Sequence, residues 1–184
     1  MLRKAQALAA ARVPHRRIVR AMKELRAQAE SGQYALEFGS LSVMAQPMPS
    51  AQELFDQAAN LERKDREAAA RAYEQAIAAD PSFLDARINL GLLLHQSGRL
   101  AKAERAYRDA ILACGRDPML LFNLGVLLED IGRKRDALEA YRAALRGDPA
   151  FADCHYNLAL LYEDLGKPKD AIRHMAQYRR LTGG

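Results

Sequence analysis

Apolar residues in the second half of the chain recur at helical spacing, in paired runs separated by glycine. Leu84–Gln96 carries an apolar side chain every three or four residues, and the pattern resumes over 100–111. This periodicity predicts amphipathic helices. Gly98 and Gly132 each follow the last apolar residue of a run, where a left-handed helix cap is needed. The pattern therefore predicts units made of a helix, a glycine turn and a second helix.

These units repeat every 34 residues. The stretches R-I-N-L-G, L-F-N-L-G and H-Y-N-L-A begin at residues 87, 121 and 155. Independent positions that agree on one period of this length indicate a helical repeat array. A less regular unit over 52–81 precedes them, and its first helix is one residue out of step, which indicates one deletion in its charged turn. We expect four repeats and eight helices in a repeat domain, residues 51–184, with repeats at about 51–82, 83–116, 117–150 and 151–184.

Small residues mark the places where paired helices are expected to cross. Gly91, Gly125 and Ala159 share the period, and Tyr107 and Tyr141 are expected to fill the space beside them. Glycine or alanine at a crossing lets two helix backbones approach closely. The recurrence of this combination predicts that the pairs pack in the same way.

The repeat resembles that of the tetratricopeptide repeat (TPR) family, whose pattern is W-x-x-L-G-x-x-Y, then A-x-x-x-F, then P. Leu124-Gly125, Leu128, Ala137 and Tyr141 fit this pattern well, whereas its tryptophan place is taken by other residues, Arg87, Leu121 and His155. The resemblance implies an all-α, right-handed superhelical solenoid. It also implies that the first helix of each pair lines a concave groove, and that the chain is a protein–protein interaction scaffold that binds an extended peptide segment there.

A column of asparagines is the most distinctive feature of the predicted groove. Asn89, Asn123 and Asn157 fall at the same place in successive first helices. A carboxamide has both a donor and an acceptor, which suits the backbone of an extended peptide. Neighbouring rungs are expected about 10 Å apart, or roughly three residues of extended chain. The alternative is that each asparagine makes a local hydrogen bond between helices.

Acidic and aromatic residues are predicted to share this groove, because residues three, four and seven apart lie on one helix face. The apolar residues Leu92, Met119 and Leu160 belong to the same face. No lysine or arginine occupies these groove positions, which disfavours a clamp for a C-terminal carboxylate and favours a basic or neutral partner; the alternative is that the acids are solvated helix ends. With the three asparagines, the predicted peptide-binding residues are Phe122, Tyr156, Asp85, Glu129, Asp130, Asp153, Glu163 and Asp164.

The first fifty residues have a different character. They hold eight lysines and arginines against three acids, so the net charge of +5 of the whole chain lies there. Over residues 1–50 we expect a basic helical arm, with a short helix at 2–11 and a longer one that begins at Pro14, then an extended segment at Tyr34–Phe38 and a linker over Met44–Ser50. Such an arm suits nucleic acid, an anionic membrane or an acidic protein surface, and the alternative is a solvated helix without a partner. The extended segment is also expected to fit the groove of this chain or of a second copy.

The stretch over residues 11–25 is similar to the later helices of winged-helix domains in MerR-type regulators, some of which carry C-terminal TPRs. This similarity implies the alternative function, a truncated or degenerate transcription regulator with a basic, DNA-contacting N-terminal segment. No helix-turn-helix with a recognition helix is predicted before the stretch, and DNA reading of this kind requires one. Nucleic acid is therefore the second choice of partner, after a protein or peptide.

Other classes of protein are disfavoured. The early apolar stretch is interrupted by Arg12, which argues against an export signal, and no apolar run approaches a membrane span. Two cysteines and four scattered histidines lack metal-ligand spacing. Cys154 and His155 are adjacent on a helix and point apart, which makes a poor nucleophile–base pair. We expect a cytoplasmic binding protein without catalytic residues, cofactor, metal or membrane partner, and self-association through the N-terminal segment or the last helix is a further hypothesis.

Overall fold

A computed structural model describes residues 34–38, 41–45 and 48–183 of the chain. The chain divides into two compact units, Met1–Pro49 and Ser50–Gly184. The basic arm, the helix expected at Pro14 and the MerR-like stretch lie outside the described residues. None of the described helices is long and apolar enough to cross a bilayer.

The described part of the first unit is a β-hairpin. Strand β1, Tyr34–Phe38, pairs antiparallel with β2, Leu41–Ala45, and Phe38 lies opposite Leu41. The extended segment predicted at Tyr34–Phe38 is confirmed as a strand. The predicted linker is wrong at its start, because Met44 and Ala45 belong to β2. The Gly39-Ser40 dipeptide was the available signal, since glycine followed by a small polar residue between two strand-like runs is typical of a two-residue hairpin turn.

The second unit is built of four helix pairs, which confirms the prediction of an all-α repeat solenoid for this unit. In each pair the first helix contacts the second, and the second helix contacts the first helix of the next pair. Consecutive pairs therefore stack in chain order, as a solenoid requires. The helices are α1 Ala51–Leu61, α2 Arg66–Ala79, α3 Leu84–Gln96, α4 Leu100–Cys114, α5 Pro118–Asp130, α6 Lys134–Gly147, α7 Ala152–Asp164 and α8 Pro168–Thr182.

Local sequence explains where several helices begin and end. Ser50 and Glu53 form a reciprocal capping box at the start of α1. The Asp117 carboxylate accepts hydrogen bonds from two backbone N–H groups of α5, and Pro118 occupies the first helical position. Gly98 and Gly132 adopt φ of 70° and 79°, which confirms the predicted left-handed caps, and Gly166 adopts 69° at the equivalent place in the last repeat.

The core is a continuous line of leucine, alanine and tyrosine between the helices. Tyr73, Tyr107 and Tyr141, one from each of the first three second helices, are fully buried. A Cβ atom placed on Gly91 would lie 2.3 Å from the Tyr107 ring, and one on Gly125 would lie 2.6 Å from the Tyr141 ring. The predicted close crossings are confirmed, and they bring each tyrosine hydroxyl toward the face of the first helices.

Candidate functional site

The asparagine column lies on one face of α3, α5 and α7. Asn89, Asn123 and Asn157 are each half-buried, so their carboxamides are neither sealed in the core nor fully solvated. Helix α3 contacts α5 directly, which makes the faces of these two first helices neighbours, and α7 holds the equivalent place in the next pair. We call this shared surface, with the exposed and half-buried residues of α3, α5 and α7 around the asparagines, the asparagine face.

Two of the three asparagines also make a hydrogen bond between helices. Asn89 Nδ2 donates to the Tyr73 hydroxyl and Asn157 Nδ2 donates to the Tyr141 hydroxyl, each at 3.3 Å. The local hydrogen bond considered as the alternative role is therefore present at both positions. It uses one N–H of each carboxamide and leaves the Oδ1 acceptor and the second N–H. The local role and a binding role are compatible at these two rungs.

Each of these tyrosine hydroxyls in turn donates a hydrogen bond to a carboxylate. The Tyr73 hydroxyl donates to Glu62 at 2.5 Å and the Tyr141 hydroxyl donates to Glu129 at 3.0 Å. Burial, and next to it the neighbouring glutamate, raises the pKa of the Tyr73 hydroxyl, and burial is also the main cause of the raised pKa of Tyr141. Both hydroxyls therefore stay protonated. Each set forms a relay that runs from asparagine to tyrosine to glutamate.

The middle repeat lacks this relay. The Tyr107 hydroxyl is fully buried and has no hydrogen-bond partner among the described residues. Burial raises its pKa as well, so it is neutral. His95 stands in α3 at the place that Glu129 holds in α5, and its Nε2 contacts the Asp130 carboxylate at 2.7 Å instead. Asn123, at the place equivalent to Asn89, makes no side-chain hydrogen bond to a described residue.

The predicted acidic residues fall into two groups. Asp85, Asp153 and Glu163 are exposed and have no ion-pair or hydrogen-bond partner among the described side chains. The other three are engaged, which the sequence alone did not reveal: Glu129 with Tyr141, Asp130 with His95, and Asp164 with Lys134 of α6.

Apolar and aromatic side chains complete the asparagine face. Leu92, Met119 and Leu160 are exposed beside the column. Tyr156 is 40% exposed, and its ring centroid lies 5.1 Å from that of Tyr178 in α8. Phe122 is half-buried, with its ring 4.8 Å from Phe151. The face therefore combines amide groups, free carboxylates and apolar contacts.

Sequence reasoning missed the hydrogen bonds of the tyrosine relays. A signal was present, because Tyr73, Tyr107 and Tyr141 each precede an asparagine of the column by 16 residues. The relay also explains the irregular first repeat. Tyr73 and Glu62 are 11 residues apart, whereas Tyr141 and Glu129 are 12 apart, in agreement with the predicted one-residue deletion.

The thiol of Cys154 lies in the core and does not belong to the asparagine face. Cys154 is buried, its Sγ contacts the Tyr141 carbonyl oxygen at 3.3 Å, and burial raises the pKa of the thiol to about 12. A buried thiol of this kind is a poor nucleophile. Within the described residues, no three histidine, cysteine, aspartate or glutamate side chains are grouped so that they could hold a metal ion.

Two clefts of about 590 and 500 Å³ lie between consecutive second helices, and no residue of the asparagine column lines either of them. The first is bounded by α2, α3 and α4, and the second by α4, α5 and α6. Both are rimmed by arginines, including Arg71 and Arg133. They occur at equivalent places in successive repeats and follow from the stacking of the pairs.

Comparison with solved structures shows where this arrangement recurs. A crystal structure of MamA matches with a TM-score of 0.64 at 22% identity, over 72% of this chain and 73% of that one. MamA from Desulfovibrio magneticus RS-1 matches with a TM-score of 0.63 at 18% identity, over 72% and 76%. A tetratricopeptide repeat protein from Parabacteroides merdae matches with a TM-score of 0.64 at 21% identity, over 71% and 53%. At these identities the likeness concerns the fold.

No curated protein matches the chain. The family model described as "Tetratricopeptide repeat" matches residues 58–118 and 122–184, which is most of the chain and nearly all of the helical unit. The match does not reach the first fifty residues, so their similarity to MerR-type regulators stays a prediction. With its 34-residue period, its stacked helix pairs and this match, the chain belongs to the tetratricopeptide repeat family.

Proposed function

We propose that the helical unit is a protein-interaction scaffold that binds an extended, basic segment of a partner along the asparagine face. The observation that carries this proposal is the half-buried asparagine column on adjacent first helices, at which carboxamide groups stay free for a ligand. Stacked helices hold the rungs at a fixed spacing, which a repeating peptide backbone can follow without regard to its side chains.

Charge favours a basic partner. Asp85, Asp153 and Glu163 are exposed beside the column and have no partner among the described residues. Unengaged carboxylates attract lysine and arginine, speed encounter and select against acidic segments. The exposed Leu92 and Leu160 add apolar contact between the rungs. A basic segment with small or apolar side chains between its charges fits this combination.

The proposal is tested with a fluorescein-labelled peptide of alternating lysine and serine, about twelve residues long. At roughly 3.3 Å per residue this peptide is long enough to reach all three rungs. Fluorescence anisotropy is expected to show saturable binding to the intact chain. A glutamate–serine peptide of the same length is expected not to bind. A lysine–serine peptide methylated on alternate backbone nitrogens is expected to bind more weakly, because it keeps the charge but loses N–H donors.

Variants of the chain locate the binding surface. Replacing Asn89, Asn123 and Asn157 together with alanine is expected to abolish binding. Asn60→Ala is the matched control, because Asn60 is exposed in α1 and its Nδ2 donates to the Asp56 carbonyl oxygen. Equal affinity of the triple variant and the Asn60 variant would overturn the proposal. So would equal affinity for the methylated and unmethylated peptides, since charge alone would then explain binding.

Self-association through the last helix stays a prediction. Helix α8 contributes no buried side chain, and Ile172 is 70% exposed on it. The groove role expected for Tyr34–Phe38 also stays a prediction. The structure shows the backbone of β1 paired with β2.

A further inference from the structure

The three rungs of the asparagine column are not equivalent, and the repeat whose rung differs also has a histidine where glutamate stands in the other relays. In two repeats the asparagine donates to a buried tyrosine that in turn donates to a glutamate. In the middle repeat the place of that glutamate is held by His95, which contacts Asp130 across the boundary between α3 and α5. The relay is therefore interrupted at Tyr107.

The interruption leaves Asn123 with all of its hydrogen-bonding groups available. Its Oδ1 and both N–H groups have no described side-chain partner, and the side chain is half-buried at the centre of the column. Asn89 and Asn157 each have one N–H committed to a tyrosine. A half-buried carboxamide without partners has already lost part of its hydration, so a ligand that pairs it recovers more free energy than at a committed rung.

We propose that Asn123 is the central anchor of the asparagine face and determines where the backbone of a bound segment is held, because His95 releases it from the tyrosine relay. This assignment rests on the proposed function. Asn89 and Asn157 then serve mainly to hold α3 and α7 against the preceding second helices, and they contribute to the ligand with their remaining groups.

Single alanine variants at the three rungs separate folding from binding. Asn123→Ala is expected to weaken the Kd for the lysine–serine peptide by about tenfold or more, and Asn89→Ala and Asn157→Ala by about threefold each, since a typical net hydrogen bond is worth about a factor of five. The urea midpoint is expected to move in the opposite order. It falls for Asn89→Ala and Asn157→Ala, which lose a bond between helices, and stays near wild type for Asn123→Ala.

His95→Gln tests the cause of the difference. The glutamine Oε1 can accept a hydrogen bond from the Tyr107 hydroxyl, and the side chain adds no charge beside Asp130. The variant is expected to raise the urea midpoint by completing the relay and to weaken peptide binding severalfold by committing Asn123 to Tyr107. A loss of both stability and affinity would indicate general damage and would overturn the assignment.

The remaining outcomes are also decisive. Equal losses of affinity in the three asparagine variants, with equal changes in midpoint, would overturn the central role of Asn123 and leave the proposed function standing. An intact chain that does not bind the lysine–serine peptide would overturn the proposed function and this assignment with it.

Discussion

At the scale of single residues, the difference between repeats lies in hydrogen bonds rather than in packing. Tyr73, Tyr107 and Tyr141 are equally buried, yet only the hydroxyls of Tyr73 and Tyr141 have partners. A buried polar group without a partner costs about 1–3 kcal/mol relative to one that is paired. The same side chain therefore has a different energetic effect in the middle repeat, although its ring fills the same space.

Tyrosine-to-phenylalanine variants make this difference measurable. Tyr73→Phe and Tyr141→Phe are expected to lower the free energy of unfolding by about 1–2 kcal/mol each, because they leave an asparagine and a glutamate without a partner. Tyr107→Phe is expected to leave it unchanged or to raise it, because only an unpartnered hydroxyl is removed. Urea unfolding followed by circular dichroism at one pH measures all three. A Tyr107→Phe loss as large as that of Tyr141→Phe would show that Tyr107 has a partner in solution.

At the scale of helices, the sequence predicted the architecture well, because the helix pairs follow from the spacing of apolar residues and glycines along the chain. The 34-residue period and the glycine caps follow from backbone geometry that few residue types satisfy. The pairing of β1 with β2 was missed because the predicted extended segment stops at Phe38 and the predicted linker begins at Met44, inside the second strand. The partners of Asn89, Glu129 and Asp164 were missed because rotamers and contacts between repeats are not encoded in periodicity.

The glycines at the helix crossings permit a test of that packing. Gly91→Ala places a methyl group against the fully buried Tyr107 ring. Without any shift of the ring, the Cβ atom would lie only 2.3 Å from it, which is a steric clash. The expected loss is about 1–3 kcal/mol of unfolding free energy rather than collapse. The first repeat supports this size, because it holds Ala58 and Tyr73 at the equivalent places, both buried.

A double-mutant cycle checks that the steric contact is the cause. Gly91→Ala is expected to cost less when Tyr107 is replaced by leucine, since the smaller side chain leaves room for the methyl group. The same cost in both backgrounds would place the effect in the backbone of α3 rather than at the crossing.

At the scale of the whole helical unit, the last helix pair differs from the pairs before it. Each pair is stabilised by its neighbours, and α8 has α7 behind it and no buried side chain of its own. A cluster of side chains from α6, α7 and α8 holds α8 against the preceding helices. His155 Nε2 donates to the Pro149 carbonyl oxygen at 3.1 Å, which leaves its Nδ1 to accept from His174 Nδ1 at 2.9 Å. The Tyr162 ring stacks on His174, and Arg142 of α6 donates to the Tyr162 hydroxyl at 2.7 Å.

We expect this cluster to make the last helix pair sensitive to acid. Burial is the main cause that lowers the pKa of His174 to about 4; a positive charge on His155, when that ring is protonated, and the charge of Arg173 act in the same direction, while Asp170 opposes the shift. An imidazole in the unfolded chain has a pKa near 6.5. The unfolded state therefore binds the proton first, so the stability is complete above about pH 6.5 and falls as the pH drops toward 4.

The midpoint of thermal unfolding is expected to fall between about pH 8 and pH 5.5, a window in which most carboxylates stay ionised. His174→Gln keeps a donor for His155 without titrating, and its midpoint is expected to fall less over the same window. Parallel midpoint curves for the variant and the wild type would place the acid sensitivity elsewhere in the chain.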